Sequence, residues 1–269
     1  SGSAVADTAA LAAVLLPMMR EAGYRMDRSA GLIAAGGIIA PVIPPSIGFI
    51  LFGVIGGVSI SKLFMAGIFP GLLMGLALVV TWAIVARKDQ VRVSERVPLK
   101  RRLQVTLNAF WSYLLAITII GGMKMGVFTP TEAAVVAVVY SLFVGLFIYR
   151  EIKFKDLYQL ILNAAKTSSI VMFLVAAALV SAWLITVANI PAQIVTLMQP
   201  FIDNKMLLMA MLMLMVLVVG TALDFAPTVL ILTPVLMPLV RQAGIDPVYF
   251  GVLFIINNAI GLLTPPVGT

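Results

Sequence analysis

The sequence contains no cysteine and no histidine. The first absence rules out disulfides and thiolate metal sites, and the second removes the commonest metal ligand and general base. Redox and zinc chemistry thereby lose their usual residues, and no transition metal is expected. Charge is scarce too: 11% of the 269 residues are Asp, Glu, Lys or Arg, against about a quarter in a soluble domain. Hydrophobic residues make up 62% of the chain, in long runs that recur along its length. Crossing a hydrocarbon core of about 30 Å takes about 20 helical residues, so these runs predict an all-α membrane protein. Strands of a β-barrel would alternate in polarity, and the runs do not. The formal charge of +7 is therefore weighed against membrane topology and not read as affinity for nucleic acid.

Runs bounded by charges predict spans at 29–56, 63–87, 103–122, 130–149 and 157–187, then shorter ones at 205–219, 226–240 and 249–263. The linker 88–102 and the residues beside it carry Arg87, Lys88, Arg92, Arg96, Lys100, Arg101 and Arg102, which sets that side as cytoplasmic. Alternating outward brings Arg20, Arg25, Arg28, Arg150, Lys153 and Lys155 to the same side. Thirteen of the eighteen basic residues are then cytoplasmic, and Lys62, Lys124, Lys205 and Arg241 lie opposite. Lys166 falls inside a span near its cytoplasmic end, where it can snorkel or be met by Thr167, Ser168 and Ser169.

The sequence repeats itself at an offset of 221 residues. Pro17, Arg20, Ala22 and Gly23 fall on Pro238, Arg241, Ala243 and Gly244, and Pro44-Pro45 falls on Pro265-Pro266. Five predicted crossings separate the two Ala-Gly loops, so the repeat is read as inverted, the pattern of alternating-access transporters. Each Pro-Pro interrupts a run that otherwise reads as a spanning helix, and two prolines in succession should unwind it. Freed carbonyls can then line a cavity and meet a desolvated cation. A simple proline kink is the plainer alternative. Ahead of each loop lies a small polar tip, Ser1 to Asp7 in one copy and Gly220 to Thr228 in the other. Apolar arms of about fifteen residues rise only about 22 Å, too short to cross, which predicts two re-entrant hairpins. The first hairpin lacks a leading arm, so the chain reads as part of a longer subunit. Asp7 and Asp224 are the aspartates expected to lie deep; each either serves a ligand or caps its helix.

Five stretches resemble the large membrane subunit of TRAP transporters, the tripartite ATP-independent periplasmic (DctM-like) family: Ser1 to Ala10, Gly36 to Ile47, Phe128 to Ala134, Thr228 to Pro238 and Asn257 to Gly268. The resemblance implies an elevator-type secondary transporter of the ion transporter superfamily kind, multi-pass in the bacterial inner membrane. It uses Na+ as coupling ion, with no other cofactor, and is not an enzyme. Its implied partners are a small membrane subunit of about four helices and a periplasmic substrate-binding protein. Residues 1–56 would form one transport-domain half, 57–187 the scaffold with linker 88–102, and 188–269 the second half. Carried over, one sodium site would use Ser1, Ser3, Ala40, Ile43 and Pro45, and the other Gly220, Thr221, Gly261, Thr264 and Pro266. Substrate would lie near Ser3, Asp7, Ser46, Asp224 and Thr228. The wording is closest to the branch carrying sugar acids such as sialic acid or keto-gulonates, with C4-dicarboxylates as the alternative.

Other motifs have structural readings. Thr129-Pro130-Thr131-Glu132 reads as a capping box. Gly67, Gly71 and Gly75 form a flat strip for another helix, read as a scaffold contact such as one to the small subunit. An intramembrane aspartyl protease is the rival from another class, since two deep aspartates could share a proton. The Gly-x-Gly-Asp element expected there is missing, because the aspartates follow Ala6 and Leu223.

Overall fold

The computed structural model describes residues 2–88, 98–202 and 204–265, and among them there is no β-strand. Ser1, Arg92, Arg96 and Pro266 lie outside the described residues. The helices are α1 (Ala4–Glu21), α2 (Met26–Gly37), α3 (Ile47–Gly56), α4 (Ile60–Val85), α5 (Leu99–Asn108), α6 (Phe110–Lys124), α7 (Pro130–Phe143), α8 (Leu157–Val187), α9 (Ile190–Met198), α10 (Lys205–Ala222), α11 (Phe225–Gln242) and α12 (Pro247–Gly261). Among the described residues five segments are long and apolar enough to cross a bilayer, or six if α5 and α6 count as one bent span. This is a multi-pass membrane protein. Two compact units emerge, one from residues 1–93 with 174–269 and the other from 94–173.

In the unit 94–173 the single span predicted at 103–122 is instead two helices bent by 52° at Ala109. The first turn of α5 carries Lys100, Arg101 and Arg102, a poor match for the positive end of a helix dipole and for lipid. At the bend the Asn108 carbonyl accepts the Tyr149 hydroxyl at 2.6 Å. Tyr140 on α7 donates to the Trp111 carbonyl of α6 at 2.7 Å. The capping box is as expected. Thr129 Oγ1 accepts from Glu132 N at 3.3 Å, and Glu132 Oε2 accepts from Thr129 N at 2.8 Å. Beside Lys166, Thr167 and Ser169 donate to carbonyls of their own helix, at Asn163 and Ala165, which leaves their hydroxyl oxygens as acceptors.

The larger unit carries the repeat. Both ends of α1 coincide with both ends of α11 at the 221-residue offset, and α2 starts in register with α12. Even the loops agree: Gly23 and Gly244 both have positive φ, and their amides bond Arg20 and Arg241 carbonyls, each at 3.1 Å. The interruption at the first Pro-Pro is plain, since α2 stops at Gly37 and α3 restarts at Ile47. The arms α10 and α11 each hold 18 residues rather than about fifteen, a rise of about 27 Å. Shortness therefore no longer argues against crossing. The sequence reading stopped at Gly220-Thr221, but the helix continues through them because Thr221 bonds back to the Val218 carbonyl at 2.8 Å. Helix α9 was not anticipated.

Aromatic packing holds the unit together. Phe52 meets Phe250 and Phe254 at centroid distances of 6.1 and 5.6 Å, and Phe49 meets Phe64 at 6.4 Å. All five rings are buried, joining α3, α4 and α12. Arg241 donates to the Gly56 carbonyl at 2.7 Å, tying the end of α11 to the end of α3 across 185 residues. The glycine strip is corrected. A Cβ on Gly67 would lie 2.5 Å from the Phe49 ring, and one on Gly71 would lie 2.5 Å from Ile43. Two of its three glycines thus pack inside the chain, and only Gly75 meets nothing.

Candidate functional site

Five helix ends gather in the larger unit, the N-termini of α1, α3 and α11 and the C-termini of α10 and α12. Ser3, Ser46 and Asp224 are the N-caps of α1, α3 and α11. Ser3 Oγ accepts from Ala6 N at 3.5 Å, and Asp224 Oδ1 accepts from Phe225 N at 2.7 Å. Gly2 has φ +74°, and a Cβ there would lie 2.8 Å from the Pro45 carbonyl and 3.1 Å from Ile47 N. The tip ahead of α1 therefore rests on the start of α3, where only glycine fits. In turn a Cβ on Gly48 would lie 2.7 Å from the Phe225 ring. Three helix N-termini, each with partial positive charge and amides to offer, thus lie in sequence from α1 through α3 to α11.

The opposite polarity gathers beside them. A Cβ on Gly261 would lie 3.0 Å from the Gly220 carbonyl carbon and 3.2 Å from its oxygen, so the last turns of α10 and α12 touch backbone to backbone. Helix C-termini carry carbonyls without intrahelical partners and partial negative charge. Anions suit the first group of ends and cations the second.

The expected site residues take these places. Ser46 is buried, and its hydroxyl donates to the Pro41 carbonyl while accepting from Phe49 N at 3.2 Å. Thr228, also buried, donates to the Asp224 carbonyl at 2.9 Å. Asp7 sits half-buried in the first turn of α1, its amide bonded to the Ser3 carbonyl at 3.0 Å. Ala40 lies in the turn after α2, and Ile43 directs its side chain at Gly71 of α4. Thr264 donates both its hydroxyl and its amide to the Gly261 carbonyl, at 2.6 and 3.0 Å. The geometry brings together Gly2, Ser3, Pro45 and Ser46 in one copy and Gly220 and Gly261 in the other. Sequence reasoning missed Asn257 and Asn258. Asn257 donates to the Met213 carbonyl of α10 and Asn258 to the Phe225 carbonyl of α11, the latter at 3.0 Å. Two adjacent amides inside an apolar helix were the available signal.

A family model described as "Tripartite ATP-independent periplasmic transporter, DctM component" matches residues 1–269. The chain belongs to this family. It is 56% identical to the 2,3-diketo-L-gulonate TRAP transporter large permease protein YiaN of Escherichia coli (strain K12), over 100% of this chain and 63% of that protein. Similarity extends at 36% identity to the C4-dicarboxylate TRAP transporter large permease protein DctM of Pseudomonas aeruginosa, again over 100% and 63%. It extends at 35% to the sialic acid TRAP transporter large permease protein SiaM of Vibrio cholerae, with the same coverage. The chain thus spans somewhat under two thirds of the length of these relatives. They are named as transport permeases and not enzymes, which removes the aspartyl protease alternative.

Proposed function

We propose that this chain is the membrane permease subunit of a sodium-coupled, binding-protein-dependent secondary transporter that imports a sugar acid by an elevator mechanism. One observation carries the reading: Gly2 at one tip presses against the start of α3 and Gly220 against the end of α12, so helix ends of both polarities meet beside each other. The N-termini of α1, α3 and α11 suit a carboxylate without an arginine, and Ser3, Asp7, Ser46, Asp224 and Thr228 line that face of the proposal. Carbonyl-bearing ends suit Na+, with Ser1, Ser3, Ala40, Ile43 and Pro45 in one proposed site and Gly220, Thr221, Gly261, Thr264 and Pro266 in the other.

In this reading the repeat is inverted, the two tips are re-entrant, and residues 1–56 and 188–269 move against a scaffold drawn from 57–187. A small membrane subunit and a periplasmic binding protein complete a tripartite complex in the inner membrane, as the family's description suggests. Higher identity to the diketo-gulonate permease than to the C4-dicarboxylate one favours a sugar acid over a dicarboxylate. Uptake of labelled keto-gulonates, sialic acid and C4-dicarboxylates by the reconstituted complex, with and without sodium and the binding protein, tests this. Sugar-acid uptake requiring both is the expected result, and sodium-independent uptake overturns the coupling.

A further inference from the structure

The junction of α10, α11 and α12 holds a buried polar atom without a hydrogen-bond partner, Oδ1 of Asn258. The residue is fully buried. Its amide orientation is fixed, because Nδ2 donates to the Phe225 carbonyl at 3.0 Å; turned over, two oxygens would face each other. The bare acceptor therefore points at Gly220, where an added Cβ would lie 2.9 Å from it. Around it stand the last turns of α10 and α12, in backbone contact through Gly220 and Gly261. An unpaired acceptor between two negative helix ends is unfavourable until something positive arrives.

We propose that Asn258 Oδ1 is a ligand for the coupling cation at the second junction, and that its Nδ2 transmits occupancy to the N-terminus of α11. This rests on the sodium-coupled reading above and adds to it a specificity residue. A neutral amide among backbone carbonyls brings no formal charge, so the site favours a monovalent over a divalent cation. Among the described residues no cluster of three or more His, Cys, Asp or Glu exists that would hold a divalent metal. The two junctions are not equivalent. Gly37 stands at the corresponding position of the first repeat, and a Cβ there would collide with Thr8 Oγ1 of α1. A hydroxyl fills in one copy the register that an amide occupies in the other. Through the Phe225 carbonyl, a cation on Oδ1 steadies the turn that Asp224 caps, next to the proposed substrate.

Thermal unfolding of the intact complex in detergent, in sodium or in choline, together with sodium activation of uptake, tests the proposal. The parent should melt higher in sodium. Asn258→Leu, close in size, should lose that sodium increment and need at least about ten-fold more sodium for half-maximal uptake, while melting within a few degrees of the parent in choline. A purely structural Asn258 predicts equal loss of melting temperature in both salts and an unchanged activation curve, which overturns the proposal. If Asn258→Leu does not assemble, Asn258→Asp decides. An added charge should make uptake sensitive to millimolar Ca2+, and insensitivity with an unaltered sodium curve overturns it. A parent with no sodium increment and sodium-independent uptake defeats the coupled-transport reading itself. A parent that shows the increment beside a variant that keeps it defeats only the role of Asn258.

Discussion

Asp224 does two jobs that a single substitution can separate. Its Oδ1 caps α11 through Phe225 N, while its exposed carboxylate adds charge beside Thr228. Asp224→Asn keeps an acceptor for the cap and removes the charge. Transport should fall about ten-fold or more, equivalent to at least about 1.4 kcal/mol, with melting temperature near the parent's. Retained uptake with a lowered melting temperature would make the residue a structural cap. Ser3→Ala and Thr264→Ala probe the cation shells in the same spirit. The Ser3 cap is long at 3.5 Å, so its loss should barely affect folding. The Thr264 hydroxyl is spent on the Gly261 carbonyl, and removing it leaves that carbonyl with the Thr264 amide as its turn partner and with a lone pair more available to a cation. Both variants should shift the sodium activation curve of uptake, and curves identical to the parent's would refute this placement of the sites.

At the level of helices, what was legible in the sequence depended on whether the cause was local. The capping box at Thr129, the loops at Gly23 and Gly244 and the interruption at Pro44-Pro45 each follow from a few neighbouring residues, and each lies where the pattern indicates. The bend at Ala109 does not, because Tyr149 meets the Asn108 carbonyl from 41 residues away. Nor was the partner of the glycine strip readable, since periodicity shows a flat face without naming what covers it. The strip yields a paired prediction. Gly67→Ala sets a methyl against the buried Phe49 ring and, at 2.6 Å, the Val42 carbonyl, and should destabilise by about 1–3 kcal/mol. Gly75→Ala meets nothing and should leave the melting temperature of the complex unchanged; equal effects would mean α4 packs otherwise. Thr129→Ala, which deletes the hydroxyl of the capping box, should cost about 1 kcal/mol in the same assay.

For the whole molecule the open question of sidedness is suited to cysteine chemistry, because the sequence contains none of its own. Arg25 and Asp246 are the N-caps of the equivalent helices α2 and α12. Arg25→Cys and Asp246→Cys, exposed separately to an impermeant thiol reagent, should react from opposite sides of the membrane. Reaction from one side would make the repeat parallel. The bond from Arg241 to the Gly56 carbonyl, 185 residues apart, has a consequence for synthesis. A ribosome adding about 5–20 residues per second delivers α11 on the order of ten to forty seconds after α3. During that wait α3 stands in the bilayer with Gly48 uncovered by the Phe225 ring it packs against, and whatever surveys unfinished membrane proteins meets that face first. Nascent chains stalled between α8 and α10 should therefore be cleared faster than chains that have reached α12.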